Sequence, residues 1–138
     1  QLFKQVGGFP VGEAMGEDQA LFSQIALQGS LVYSPLVLML YHTDSENRAC
    51  DRHIPQDILP FAKRLLAKVA AGQVNELTAP FVLQYCAAHI CHLAKMNIQA
   101  GQLTAAKQLL KHPVSKLKPL HRNLFGLWLI TQSMFQRW

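Results

Sequence analysis

The residues best suited to chemistry are two adjacent carboxylates, Glu17 and Asp18, which directly follow Gly16. The acidic start of this stretch and the glycine at its end predict a helix over residues 17–28. An ionised carboxylate at a helix start is stabilised by the positive end of the helix dipole and can accept a proton from a substrate hydroxyl. Acidic residues are also common in first helical turns for structural reasons, so the pair alone favours a helix start.

A second group of reactive side chains consists of Cys86, His89, Cys91 and His92, which lie within seven residues. On a helix, His89 shares a face with Cys86 and with His92, whereas Cys91 points elsewhere. Structural zinc sites usually use two separated pairs of ligands around a turn. The spacing therefore favours buried cysteines in a helical core over a zinc site.

The first third of the chain has the pattern of mixed α and β structure. Paired glycines and Pro10 predict a turn over residues 6–10. Apolar runs at 31–33 and 37–41 predict two short strands, or one strand bent at Ser34-Pro35. The polar residues 42–53 predict a loop, which divides the chain into domains at residues 1–50 and 51–138.

The second domain is predicted to be all-helical, with helices at about 57–71, 78–100, 104–112 and from 119 to the C-terminus. Asp57 and Thr78 are candidate N-caps, and glycines or prolines end the first three helices. Short links predict antiparallel neighbours in a bundle or hairpin region. Residues 94–113 resemble part of a tetratricopeptide repeat, but without a second copy a plain helical hairpin is favoured.

The order of motifs in the first domain adds weight to the acidic pair. Val6-Gly7-Gly8-Phe9-Pro10 precedes Gly16-Glu17-Asp18, and Gly29, Val32-Tyr33-Ser34-Pro35 and Tyr41-His42 follow. Over residues 2–48 this run resembles the C-terminal part of the catalytic domain of glycosyltransferase family 2, which has the GT-A fold. The resemblance implies a short α+β remnant of that domain in front of the helical region, and hence a mainly α chain.

The resemblance also implies a reaction and roles for named residues. Asp18 would act as general base on the hydroxyl of an acceptor, and Glu17 would hold the local geometry or the acceptor. Gly7, Gly8 and Phe9 would line the acceptor side of the cleft. His42 is a candidate contact to a metal ion or diphosphate, although a loop histidine without a ligand is the favoured interpretation. The nucleotide-sugar donor would lose its nucleoside diphosphate with inversion.

Two departures from the family pattern qualify this expectation. Gln24 stands where family members often have an arginine, and an amide cannot replace a guanidinium fork. The chain also contains no Asp-x-Asp motif, which in the family holds Mg²⁺ or Mn²⁺ on the donor diphosphate. We therefore expect a fragment that needs its donor-binding half and a divalent metal for activity, and that is inactive and binds no metal alone.

The charge distribution supports an alternative function for the helical region. Residues 1–57 contain seven acidic and three basic residues, whereas residues 77–138 contain seven basic residues and no acidic one. A basic region is attracted to anionic surfaces, although it can also serve solubility alone. The alternative is a non-catalytic helical module that docks to a protein partner or an anionic membrane. Scattered basic residues without interleaved aromatics argue against nucleic acid.

The last predicted helix bears directly on that alternative. Its apolar residues could lie on a membrane or pack into the helical core, and core packing is favoured for the set Leu124, Leu127, Trp128, Met134, Phe135 and Trp138. Few cysteines and no evident leader predict a cytoplasmic protein, or a peripheral one at the inner face of the membrane. Exposed strand edges could also pair two copies into a dimer.

Overall fold

The computed structural model describes residues 1–13, 15–30, 32–40, 42 and 54–135, with the side chain of Phe135 left out. Within these ranges every regular element is a helix, which confirms the prediction of a mainly α chain. The chain divides into two compact units, Gln1–His53 and Ile54–Trp138. The first is the N-terminal unit and the second the helical unit.

The N-terminal unit contains two described helices, α1 (Leu2–Gln5) and α2 (Glu17–Gln28). Helix α2 has the predicted bounds, because Gly16 in the left-handed region (φ 84°) precedes it and extended Gly29 follows it. Helix α1 packs against α2. The buried side chains of α2 are Ala20 and Leu21, so this unit encloses little apolar volume among its described residues.

The strands predicted at 31–33 and 37–41 are not formed over residues 32–40, where the backbone is irregular; Leu31 and Tyr41 lie outside the described residues. The apolar side chains of Val37, Leu38, Met39 and Leu40 are each more than 80% exposed. β-branched and aromatic residues favour strands, but a strand also needs a neighbour to accept and donate its hydrogen bonds. No described residue of this chain supplies that neighbour.

The helical unit contains the remaining described elements. They are α3 (Pro60–Ala70), α4 (Ala79–Gln99), α5 (Leu103–Lys111), a 3-10 helix (Pro113–Leu117) and α6 (Pro119–Phe135). The bounds lie within about three residues of the predicted ones, apart from 136–138, which are outside the described residues. Gly72 and Gly101 end α3 and α4 with φ of 66° and 73°, a conformation that glycine adopts without strain.

Helix α4 is the centre of the helical unit, since α3, α5, α6 and the 3-10 helix all pack against it. Its core includes Phe61, Leu65, Cys86, Ile90 and Cys91, which are at most 2% exposed. Packing of α5 on α4 gives the predicted hairpin. Such a core is the main source of stability for a helical unit, because isolated helices of this length are marginal in water.

One buried polar side chain ties the start of the unit to α4. The Nδ2 group of Asn97, which is fully buried, donates hydrogen bonds to the carbonyl oxygens of Pro55 (2.8 Å) and Leu93 (2.9 Å). A buried backbone carbonyl left without a donor is unfavourable by about 1–3 kcal/mol. The pair of bonds therefore fixes the segment that leads into α3.

The prediction that Asp57 caps α3 is wrong, because the N-cap position is Leu59 and Pro60 opens the helix. The Asp57 carboxylate instead accepts hydrogen bonds from the Ile58 amide (2.7 Å) and from Lys63 Nζ (2.6 Å). The lysine bond is the main cause of a lowered pKa for Asp57. The carboxylate lies two residues before the N-cap Leu59, and its bond to Lys63 stabilises the start of α3.

The prediction that Leu124, Leu127 and Met134 pack into the core is also wrong. These side chains are 54–63% exposed and Trp128 is half-buried, while the side chain of Phe135 and all of Trp138 lie outside the described part of the chain. Helix α6 packs on α4 and α5 through another side, because apolar residues occupy more than one face of the helix. No helix among the described residues combines the length and the apolar character needed to cross a membrane.

Candidate functional site

The acidic pair lies in the first turn of α2, where both side chains are exposed. The left-handed conformation of Gly16 turns the chain into the helix and leaves the two carboxylates at its N-terminal end. Asp18 Oδ1 accepts a hydrogen bond of 2.7 Å from the amide of Gln19. One carboxylate oxygen is therefore oriented by the backbone, while the exposed side chain remains accessible to a solute.

The predicted turn at Gly7, Gly8 and Phe9 follows α1 directly. The amides of Gly7 and Gly8 donate to the carbonyl oxygens of Lys4 (3.2 Å) and Phe3 (3.0 Å), and both glycines have positive φ, at 84° and 69°. A β-carbon on Gly8 would lie 3.2 Å from the ring of Phe3. The positive φ favours glycine at position 8, and a larger residue there would also have to displace the ring of Phe3.

Phe9 is anchored at the same turn. Its ring meets Phe3 edge to face, with centroids 5.9 Å apart, yet half of the side chain stays exposed. Because α1 packs against α2, the turn and the acidic pair belong to one folded unit. The N-terminal unit therefore presents an aromatic ring and two carboxylates to solvent.

His42 and Gln24 complete the residues that the sequence assigns to a site. His42 is exposed, and the residues on either side of it lie outside the described part of the chain, as do Asp44 and Glu46. Gln24 is half-buried on α2. Within the described residues no three histidine, cysteine, aspartate or glutamate side chains come together as a metal-binding group. The acidic pair and the glycine turn are therefore the predicted site residues whose surroundings the structure describes in full.

The cysteines and histidines of α4 separate into core and surface. Cys86 is fully buried, its thiol lies 3.9 Å from the carbonyl oxygen of Ala62, and burial raises its pKa to about 11. The ring of His89 packs edge-on against Phe61 at 4.7 Å. Burial, and secondarily the charge of His92, lowers the pKa of His89 to about 4. These groups serve packing, which agrees with the interpretation favoured from their spacing.

A basic cleft lies between α4 and the start of α6. Its volume is about 380 Å³, and it is lined by Ala88, Cys91, His92, Lys95, Lys118, His121 and Phe125. Burial raises the pKa of the Cys91 thiol, and the positive charges of Lys118 and Arg122 oppose that rise. Both cations therefore lie close enough to Cys91 to act on the inner wall of the cleft.

The sequence analysis did not bring these cleft residues together. The sequence does contain a helical spacing that groups the α4 side of the cleft, because residues 88, 91, 92 and 95 share one face of that helix. Residues 118, 121 and 125 are spaced by three and four in the same way. Each half of the pattern is ordinary, and the packing of α6 on α4 is what creates the cleft.

Comparisons with protein-family models, with curated proteins and with solved structures find no match to this chain.

Proposed function

We propose that the N-terminal unit is the acceptor-side piece of an inverting glycosyltransferase. The observation that carries the proposal is the pair of exposed carboxylates after left-handed Gly16, in the same unit as the Gly7-Gly8-Phe9 turn. These features agree with the roles that the resemblance to glycosyltransferase family 2 implies. The short α+β part of a GT-A domain belongs to this proposal.

In the proposed reaction, the Asp18 carboxylate takes the proton from an acceptor hydroxyl. The acceptor oxygen forms a bond to the anomeric carbon of a nucleotide-sugar as the bond from that carbon to the diphosphate oxygen breaks. The electron pair leaves with the nucleoside diphosphate, and the configuration at carbon inverts. The Gln19 amide, which holds Asp18 Oδ1, leaves the other oxygen for the acceptor.

The exposed segment 32–40 supports the proposal in a different way. Four consecutive apolar side chains, Val37 to Leu40, face solvent where the apolar sequence pattern predicts a strand. Exposed apolar runs of this kind usually mark a surface that something else covers. In the complete enzyme the cover would be a neighbouring strand of the sheet, from the donor-binding half that also carries the Asp-x-Asp motif and its divalent metal.

The test uses the longer protein that contains the donor-binding half. Donor binding and sugar transfer are compared for the parent, for Asp18→Asn and for Asp57→Asn, a matched control in the helical unit. Loss of the base should lower the transfer rate by about 10²- to 10⁴-fold with donor binding intact. Equal transfer rates for the parent and Asp18→Asn would mean that the acidic pair serves only to begin the helix.

A specific observation favours a second candidate function, docking of the helical unit on an anionic membrane surface. Along α6, apolar residues recur at helical spacing and are 54–67% exposed; this outer stripe consists of Leu120, Leu124, Leu127, Ile130 and Met134. Lys116 and Lys118 precede this helix, and Arg122 lies in its first turn. An apolar helix face beside basic residues suits an anionic membrane surface, where apolar lipid chains lie below charged headgroups.

This candidate is tested by sedimentation with vesicles of phosphatidylcholine, with and without phosphatidylserine. Leu124→Ser with Leu127→Ser should abolish binding to the anionic vesicles, whereas Phe81→Ser, a change at an exposed apolar residue of α4, should not. Equal binding by both variants would reject the outer stripe as a membrane contact. Loss of a self-associated form in the first variant alone would instead identify the stripe as a protein contact.

A further inference from the structure

We propose that the basic cleft between α4 and α6 binds a phosphate group carried on a small apolar or planar moiety. The inference goes beyond both proposals above, because Lys118 is the one residue of either proposal that lines this cleft. It rests on the cleft's shape, its charge and the two kinds of wall that it presents.

The charged wall is formed from two helical segments. Lys95 and His92 come from α4, Lys118 directly precedes α6, and His121 lies in the first turn of α6. Lysine ammonium groups bind phosphate as point charges, and imidazole N–H groups donate hydrogen bonds to its oxygens. Four potential donors therefore converge on one cleft from opposite sides.

Few acidic residues in the helical unit could neutralise the positive charge of the cleft. From residue 54 onward the sequence contains only two acidic residues, Asp57 and Glu76, and Asp57 is paired with Lys63. Neither acidic residue lines the cleft. Arg122 adds a further positive charge near Cys91, and its Nε donates to the carbonyl oxygen of Leu110 (3.3 Å), which holds the guanidinium in place. The positive potential of the cleft therefore favours an anionic ligand.

The rest of the cleft lining is apolar and can contact the organic part of the ligand. Ala88 and Cys91 are small, and Phe125 presents a ring that lies 6.1 Å from the ring of His121. The cleft volume of about 380 Å³ leaves space for an organic group beside the phosphate. Two grooves between α5 and α6 are different, because neither is lined by an aromatic ring or a histidine, although one of them contains Lys107, Lys111 and Arg122.

The experiment titrates the 138-residue chain with phenyl phosphate and follows backbone amide signals by NMR. Saturable shifts should appear around residues 88–95 and 118–125. The variant Lys95→Ala with Lys118→Ala should weaken binding by at least about tenfold, since each lysine near an anionic group contributes roughly fivefold. Lys107→Ala, an exposed lysine of α5 that does not line the cleft, should have little effect.

The outcomes separate a built site from general attraction. Equal weakening by Lys107→Ala and by the double variant, or no saturable shift, would overturn the proposal. Phenol offered at the same concentration should not bind, because it keeps the ring and lacks the charge.

A second arm identifies the source of the phosphate. Phosphatidylcholine vesicles containing phosphatidic acid expose a phosphate monoester on a lipid, whereas phenyl phosphate is free in solution. Binding to these vesicles that the double variant loses and that Leu124→Ser with Leu127→Ser retains, together with saturation of the cleft signals, indicates a lipid phosphate. Saturation by phenyl phosphate without vesicle binding indicates a soluble phosphate ester.

Discussion

The N-terminal unit and the helical unit differ in how much apolar surface each keeps from water. Among its described residues the N-terminal unit buries Ala20 and Leu21, while the side chains of Val37 to Leu40 are almost fully exposed. The helical unit buries large side chains around α4, among them Phe61, Leu65 and Ile90. The unit with the chemical motifs is thus the one with the smaller core.

This difference shows that a recognisable site and a stable core need not coincide in one stretch of chain. Short motifs such as Gly16-Glu17-Asp18 are set by local geometry, and the structure forms that geometry without a large core around it. A core of the helical kind needs apolar residues distributed over several helices. The comparison predicts that disturbances in the two units will have very different consequences.

The largest expected difference is in amide hydrogen exchange. Amides in the irregular segment 32–40 should exchange at nearly the rate of an unfolded chain, because they lie in no described helix or strand. Amides of α4 around Ile90 should be slower by several orders of magnitude, since opening them requires disruption of the core. Mass spectrometry of exchanged peptides measures both. Slow exchange over 32–40 would mean that this segment is paired in solution.

A substitution in the core sharpens the same comparison. Phe61→Ala should lower the free energy of unfolding of the helical unit by about 3–5 kcal/mol, because it leaves a cavity beside Tyr85 and His89. The matched control is Phe22→Ala on α2, where the ring is 61% exposed and a change of less than about 1 kcal/mol is expected. Denaturant unfolding followed by circular dichroism measures both. Similar losses would show that Phe22 is covered.

Acid should weaken the helical unit through His89, whose pKa burial lowers to about 4. The unfolded chain binds this proton below about pH 6.5 and the folded chain only near pH 4. The stability from neutral His89 is therefore present above about pH 6.5 and is lost as pH falls to about 4. After allowance for partial exposure to solvent, we expect a loss on the order of 1–2 kcal/mol.

Denaturant unfolding at a series of pH values measures this loss. In His89→Leu the part of the acid sensitivity that comes from position 89 should disappear. His121→Leu, a change at an exposed histidine of α6, should retain it. An unchanged pH profile in His89→Leu would place the acid-sensitive group elsewhere.

The smallest expected effect concerns Asp57 and Lys63 at the start of α3. Their contact is 2.6 Å, but both side chains are more than half exposed, so the pair should contribute less than about 1 kcal/mol. The lowered pKa of Asp57 means that this stability is present above the unfolded pKa and disappears as pH falls through the folded one. Asp57→Asn, Lys63→Ala and the double variant form a cycle, and added salt should reduce the coupling.

The helix positions could be predicted from sequence because their ends carry local signals. Gly16 and Gly29 bound α2, prolines open α3 and α4, and Gly101 ends α4. The strands at 32–40 could not be judged in this way, because strand formation depends on a partner that is distant in sequence. The mixed α and β part of the predicted fold therefore remains a proposal.

The candidate sites show the same limit. The acidic pair and the glycine turn depend on neighbouring residues, and the structure forms the helix start and the turn that the sequence predicts. The buried face of α6 could not be chosen, since Leu124 and Phe125 are both apolar and adjacent. The basic cleft depends on which faces of α4 and α6 meet, and no local pattern carries that information.

The burial of Cys86 makes the rate of its chemical modification a measure of how often the helical unit opens. Its thiol is fully enclosed beside the carbonyl oxygen of Ala62 on α3, and at neutral pH it is almost entirely protonated, with a pKa of about 11. Alkylating reagents attack the thiolate, so the folded unit protects this cysteine both sterically and by charge. The rate at which Cys86 is modified is therefore governed by how often α3 and α4 separate.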